Sequence, residues 1–364
     1  MVRTQILFQL FILSFLFINS HLLGQISDCN DLISSQVEGK QEANKEHATS
    51  AKDNTISAKD GAASTKDDAT SDKDVDVDAK TEKEVKLTTE KPKEEKSTEE
   101  KPPKIGNFSL ATSQQPAALF GFGGNIIDKS EIQLYLFADD FVGKKKTIID
   151  IIPSVLFGIT DDWSILFNAP LTPLLRDNCN KSSGLEDFFI QLEYAFYNKS
   201  TKTYVDQATL VSNITFPTGS IHKNPQTGFG SPSLFLGGTY YRTWVNWFAF
   251  TSNGAILTGS EHGTKFGDQF LYQMGFGRNF PSPKGWIYAW MVEVDGQYYK
   301  KNRIDGLIDN NSGGNVIYVT PSIWVSSNEM LLQFGVSLPI NQNLFGNQNK
   351  FDYALNLNFA WSFY

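Results

Sequence analysis

The stretch Tyr353-Ala-Leu-Asn-Leu-Asn-Phe-Ala-Trp-Ser-Phe363 places Tyr353, Leu355, Leu357, Phe359, Trp361 and Phe363 on one face of an extended chain. Ala354, Asn356, Asn358, Ala360 and Ser362 fall on the other. Successive side chains of a strand point to opposite faces, so a period of two specifies strand rather than helix. Two environments share this stripe. A soluble sandwich buries the large face, whereas a membrane barrel turns it to lipid and leaves the small polar face to a wet lumen. The length of the stretch, its aromatic ending and its place just before Tyr364 favour lipid. The six large residues then double as the signal by which a barrel-assembly machinery inserts the chain.

The same alternation runs back to about Glu131. It marks strands near Glu131–Ala138, Thr147–Gly158, Trp163–Pro170, Asp187–Tyr197, Tyr204–Phe216 and Pro232–Tyr241. Others lie near Trp247–Leu257, Gln269–Arg278, Trp286–Gln297, Val316–Val325, Met330–Leu338 and Phe351–Phe363. Many have roughly the ten residues that cross a bilayer at a barrel tilt. Short connections (Thr160–Asp162, Asn198–Thr203, Arg242–Asn246, Phe280–Gly285, Ser326–Glu329) alternate with mostly longer ones (Leu171–Leu185, Gly219–Ser231, Tyr298–Asn315, Pro339–Lys350). Barrels of the outer membrane pair short periplasmic turns with long external loops, and an even strand number returns both ends to the periplasm. Trp163, Trp244, Trp247, Trp286, Trp290, Trp324 and Trp361 all fall near a short turn or the last strand, which predicts one aromatic girdle at the periplasmic interface. The expected fold is all-β: a transmembrane up-and-down antiparallel barrel of about twelve strands, over residues 131–364, in the outer membrane of a Gram-negative bacterium.

Parity then assigns a lumen. Asp150, Gln191, Glu193, Gln273, Glu293, Asp295, Gln333, Asn356 and Asn358 face inward, because an acid turned to lipid is costly. With almost no cations expected in the strands, the interior is polar and mildly acidic. It serves either as a path for small neutral or cationic solutes or as a hydrated network that holds the wall. A barrel of this size is narrow enough for a segment to close it, and residues 105–130, with the Gly-rich run Phe120–Asn125, sit where such a plug would thread.

The preceding sequence divides in two. Arg3 and the apolar Ile6–Ile18 read as a signal peptide over 1–24, with a lipoprotein signal at Cys29 as the rival. Residues 25–104 are rich in Lys, Asp, Glu, Ser and Thr and carry a seven-residue beat (Ala51-Lys-Asp, Ala58-Lys-Asp, Thr65-Lys-Asp, Asp72-Lys-Asp). Such a tail buries too little apolar surface to offset chain entropy and should be disordered, a periplasmic spacer or a tether to peptidoglycan or a partner. The net charge of −8 gives no basic stripe for nucleic acid. Cys29 and Cys179 make no disulfide framework. His222 and His262 stand near Ser220 and Glu261 in external loops without a nucleophile motif, and no metal-ligand or phosphate-loop spacing occurs. Neither enzyme chemistry nor a cofactor is expected.

Several turn-level motifs carry a family likeness. Residues 151–158 with Thr160-Asp-Asp-Trp163, then Pro170-Leu-Thr-Pro173, Gly184-Leu-Glu-Asp187, Phe216-Pro-Thr-Gly219 and Gly228-Phe-Gly-Ser231 resemble passages of the outer-membrane proteins of the MetA phenol-degradation pathway family. Glu186 departs from the Gly usual at its position. The resemblance covers about Ile148–Tyr364 and implies a barrel that passes small, often hydrophobic molecules. It supplies no catalytic residue.

Overall fold

A computed structural model describes residues 101–261 and 263–363. The expected signal peptide, most of the charged tail, His262 and Tyr364 lie outside them. Sixteen strands follow two short 3-10 turns, Gly106–Ser109 and Thr112–Gln114. They are β1 Ile132–Val142, β2 Lys146–Gly158, β3 Trp163–Asn168, β4 Leu171–Asp177, β5 Asn180–Leu185, β6 Phe189–Ser200, β7 Tyr204–Thr215 and β8 Ser233–Trp244. Then come β9 Trp247–Thr258, β10 Gln269–Phe280, β11 Trp286–Tyr299, β12 Arg303–Ile304, β13 Leu307–Ile308, β14 Gly314–Ser327, β15 Met330–Leu344 and β16 Tyr353–Phe363.

Neighbours in sequence pair antiparallel around the sheet, and β1 pairs with both β2 and β16, so the sheet closes without an edge. β3 and β4 pair with successive stretches of β2 and form one stave. β5 and β6 form the next. With β12 and β13 in a separate hairpin, the wall is a closed barrel of twelve antiparallel strands. Closure satisfies every ladder in a medium that offers no water to a free backbone group.

Burial alternates along the wall as the sequence period dictates. In β16 the expected outward residues Tyr353, Leu355, Leu357, Phe359 and Trp361 are half-buried and Phe363 is exposed, while Ala354, Asn356, Asn358, Ala360 and Ser362 are buried inside. Apolar residues on the outer face stay open mid-strand, Leu210 at 54% and Leu236 at 51%. A protein in water rarely exposes so much contiguous apolar surface.

Three expectations about connections are corrected. The stretch Leu171–Leu185, expected as a loop, is the β4–β5 hairpin. The first half of Pro339–Lys350 continues β15 to Leu344. The first connection is only Gly143–Lys145, because the strand runs on through Asp139 and Asp140, whose charge reads in sequence as a loop. Polar residues do not end a strand when one of its faces is a polar lumen.

Candidate functional site: the lumen and the segment within it

The segment before β1 enters the lumen, turns at mid-barrel and leaves at the end where β1 begins. It starts against the β8–β9 turn: the Asn107 side-chain amide donates to the carbonyls of Trp244 (2.8 Å) and Trp247 (3.1 Å). Gln114 donates to the Ser362 hydroxyl at 2.6 Å and accepts, through its carbonyl, from the Ser326 hydroxyl at 2.7 Å. At the turn, the backbone N–H groups of Leu119 and Phe120 donate to Glu293 at 2.7 and 3.3 Å. The Phe120 carbonyl accepts from Gln273 (3.2 Å), that of Ala117 from Gln333 (3.4 Å) and that of Leu119 from Asn358 (3.4 Å). On the way back, Asn125 donates to Glu193 through its backbone (3.0 Å) and side chain (2.6 Å), and Gln191 donates to the same carboxylate at 2.7 Å. Ser130 then meets the Gly158 carbonyl at 2.8 Å and β1 starts.

A non-regular segment has no ladder, so its backbone groups must find side chains once buried. This is what the inward-facing acids and amides supply. Glycine makes the return possible: Gly123 has φ +82°, and a Cβ there would lie 2.3 Å from a Thr239 methyl.

The remaining inward candidates form a belt one layer towards the loop end. Asp295 accepts from Thr320 (3.0 Å), Thr320 and Ser337 share a hydrogen bond (2.9 Å), and Ser337 donates to Asn356 (2.7 Å). Asn356 donates to Asp139 at 2.8 Å. Across the β1–β2 pair from Asp139 lies Asp150, which accepts from Thr172 at 2.8 Å, and Thr172 also meets Glu186. Asp139 is a luminal acid that the sequence reading missed. Its parity with Tyr135 and Phe137 was the available signal.

Towards the short turns the lumen also holds an apolar cluster beside these polar groups. Phe248, Phe250, Ile287, Met291 and Leu331 are buried there against Leu110 and Leu119 of the segment. Trp324 belongs to this core and corrects the girdle expectation: it is 3% exposed, and its indole N–H donates to Ser326 at 3.0 Å. It lies near a short turn, but on the same face of β14 as Thr320 and Ser322. The other tryptophans are on the outer face. Trp163 stacks on Tyr194, Trp286 on Tyr288, and Trp247 meets Trp290 edge-on. Trp244 lies 5.8 Å below Arg242, and Trp361 is half-buried. Arg242, expected in a short connection but part of β8, and Arg278 of β10 belong to this outer band. Arg242 pairs with Asp206 through two bonds (2.6 and 2.7 Å), and Arg278 covers Trp247 at 5.1 Å.

Around the segment remains a cavity of about 440 Å³, reaching from Phe229 and Ser233 near the loop end to Thr112. Phe120, Phe122, Tyr135, Phe137, Phe141, Phe189 and Phe235 give it aromatic faces, and Asn168, Gln191, Asn213 and Gln297 give it amides. Volumes of this size suit small organic molecules.

Three of the sequence motifs converge at the loop end. The Asp187 carboxylate accepts from the backbone N–H groups of Gly219 (2.8 Å) and Phe229 (2.7 Å). Thr218 donates to the Glu186 carbonyl and accepts from the Phe188 N–H, both at 2.8 Å. A Cβ on Gly228 would sit 2.4 Å from Asp187 and 2.8 Å from the Gly219 Cα. Pro-Thr-Gly and Gly-Phe-Gly-Ser are thus two sides of one loop, folded onto Asp187. Ser220 and exposed His222 occupy the same loop, where the Ser220 N–H donates to Thr227 at 3.1 Å. Exposed Cys179 is at the β4–β5 turn.

Fold and lumen together define a class: a closed transmembrane barrel with a chain segment held inside by side chains of its wall. Among solved structures, the chain is similar to the COG4313 outer membrane channel from Pseudomonas putida F1. The two are 15% identical over 68% of this chain and 99% of that one, with a TM-score of 0.53. The NanC porin aligns at 8% identity over 63% of this chain and 98% of its own, with a TM-score of 0.38. No family model matches the sequence, and no curated protein matches it. At such identities the first likeness supports the barrel fold.

Proposed function

We propose that this barrel is a passive outer-membrane pathway for small solutes, neutral or cationic and partly hydrophobic, with the luminal segment as its plug. The cavity carries the reading: it combines aromatic faces with amides inside a closed wall. Under this proposal the chain is inserted by the barrel-assembly machinery, with the short turns and the charged tail in the periplasm and the loops outside. The similar structure described as an outer membrane channel and the likeness to the MetA-pathway family support the same direction.

A structural or surface-interaction barrel is the second reading. It is favoured by the β12–β13 hairpin, whose Ile304, Leu307 and Ile308 are exposed, Leu307 at 76%. Liposome swelling separates the two. Proteoliposomes are expected to swell in small neutral solutes at least several-fold faster than protein-free vesicles. Equal rates, in vesicles that contain heat-modifiable barrel, would leave the second reading standing.

A further inference from the structure

We infer that the luminal cavity holds a binding site for an organic cation with an apolar or aromatic body, centred on the Asp139 carboxylate. This rests on the pathway reading and narrows its substrate class.

Asp139 is the one carboxylate among the described residues that line the cavity, and no Lys, Arg or His lines it. One of its oxygens accepts from Asn356; the other has no hydrogen-bond partner among the described residues. Phe137 and Phe141 flank it two residues to either side on the same face of β1, and both line the cavity. Phe120, at the turn of the luminal segment, meets Phe141 at 5.8 Å and Tyr318 at 5.9 Å. Aromatic faces attract cations, and a carboxylate with a free oxygen adds a charge-assisted hydrogen bond or ion pair.

The surroundings raise the demand for positive charge. Asp150 stands opposite Asp139 across the β1–β2 pair, and Glu186 joins Asp150 through Thr172, at a position where the resembling motif has Gly. Asp295 closes the other end of the belt. Lys146, four residues from Asp150 on β2, lies 5.0 Å from the Phe351 ring at the mouth. An anionic solute would meet several carboxylates in the lumen, and a neutral one would leave the free Asp139 oxygen without a counter-charge.

Isothermal titration of the full chain in a non-ionic detergent tests the site independently of transport. Benzyltrimethylammonium is compared with benzyl alcohol and benzoate, which keep the ring and change the charge. The cation is expected to bind about tenfold or more tighter than the alcohol, and benzoate weakest. Asp139→Asn should abolish that preference while leaving alcohol binding within about twofold. Phe141→Leu should lower the cation-to-alcohol ratio severalfold, and it serves as the deciding variant if Asp139→Asn does not yield heat-modifiable barrel. Equal binding of cation and alcohol by the unaltered protein overturns the site, as does a ratio that survives these substitutions. Failure of the liposome experiment alone would not affect these titrations, so the site and the pathway can fail separately.

Discussion

Replacing Glu193 and Glu293 together by alanine is expected to raise the open-channel probability of the reconstituted barrel at least tenfold, with the barrel itself intact. The two carboxylates take the N–H groups of Leu119 and Phe120 at the turn of the luminal segment and two donors of Asn125 on its returning limb. A hydrogen bond to a charged group contributes roughly 1.5–3 kcal/mol, and a buried donor left without a partner costs about 1–3 kcal/mol. Losing even one such bond therefore shifts docked against released segment by about tenfold or more, since ~1.4 kcal/mol is one decade. Neither residue contributes its side chain to the wall ladders, so heat-modifiable migration should survive. Glu293→Gln keeps one acceptor without the charge and should fall between. Single-channel recording checks this. Unchanged open probability in the double variant would mean that the segment is held by its apolar contacts with Phe248, Met291 and Leu331 instead.

Leu210→Arg is expected to destabilise the folded barrel in lipid by ~2–4 kcal/mol, the cost of an arginine near the bilayer midplane. Leu307→Arg should shift stability by less than about 0.5 kcal/mol, as exposed substitutions in water do. Both leucines are open to their surroundings, 54% for Leu210 in the middle of β7 and 76% for Leu307 in the β12–β13 hairpin. Only the medium distinguishes them. Urea titrations in lipid vesicles compare the two, and equal effects would place Leu210 in water.

The wall was legible because its signal is local. Strand period, outward aromatics and inward acids follow from parity within single strands, as in β16 and β11. What parity does not report is what an inward group touches. Glu193, Glu293, Gln273 and Gln333 read as a polar lining, yet they serve the backbone of a segment far away in sequence. That pairing is a long-range event with no periodic trace. For Trp324 the two local signals conflict: nearness to a turn points to the girdle, while parity with Thr320 and Ser322 points to the lumen, and parity decides. Asp139 is hidden because an acid pair near a turn mimics a loop. The β4–β5 hairpin is hidden by Pro173 and by the run Asn180–Gly184, which has turn composition but pairs as a strand. Asp187 is legible in sequence only as the end of Gly184-Leu-Glu-Asp187. Its role as the anchor of the loop carrying Gly219 and Phe229 required the fold.

The most direct measurement is single-channel conductance of the full chain against the same chain lacking residues 101–129, in one planar-bilayer system. If the segment closes a solute pathway, the full chain gives small or rare openings and the shortened chain a severalfold larger, stable conductance. Equal conductance in both, or none in either despite heat-modifiable barrel, would contradict the account.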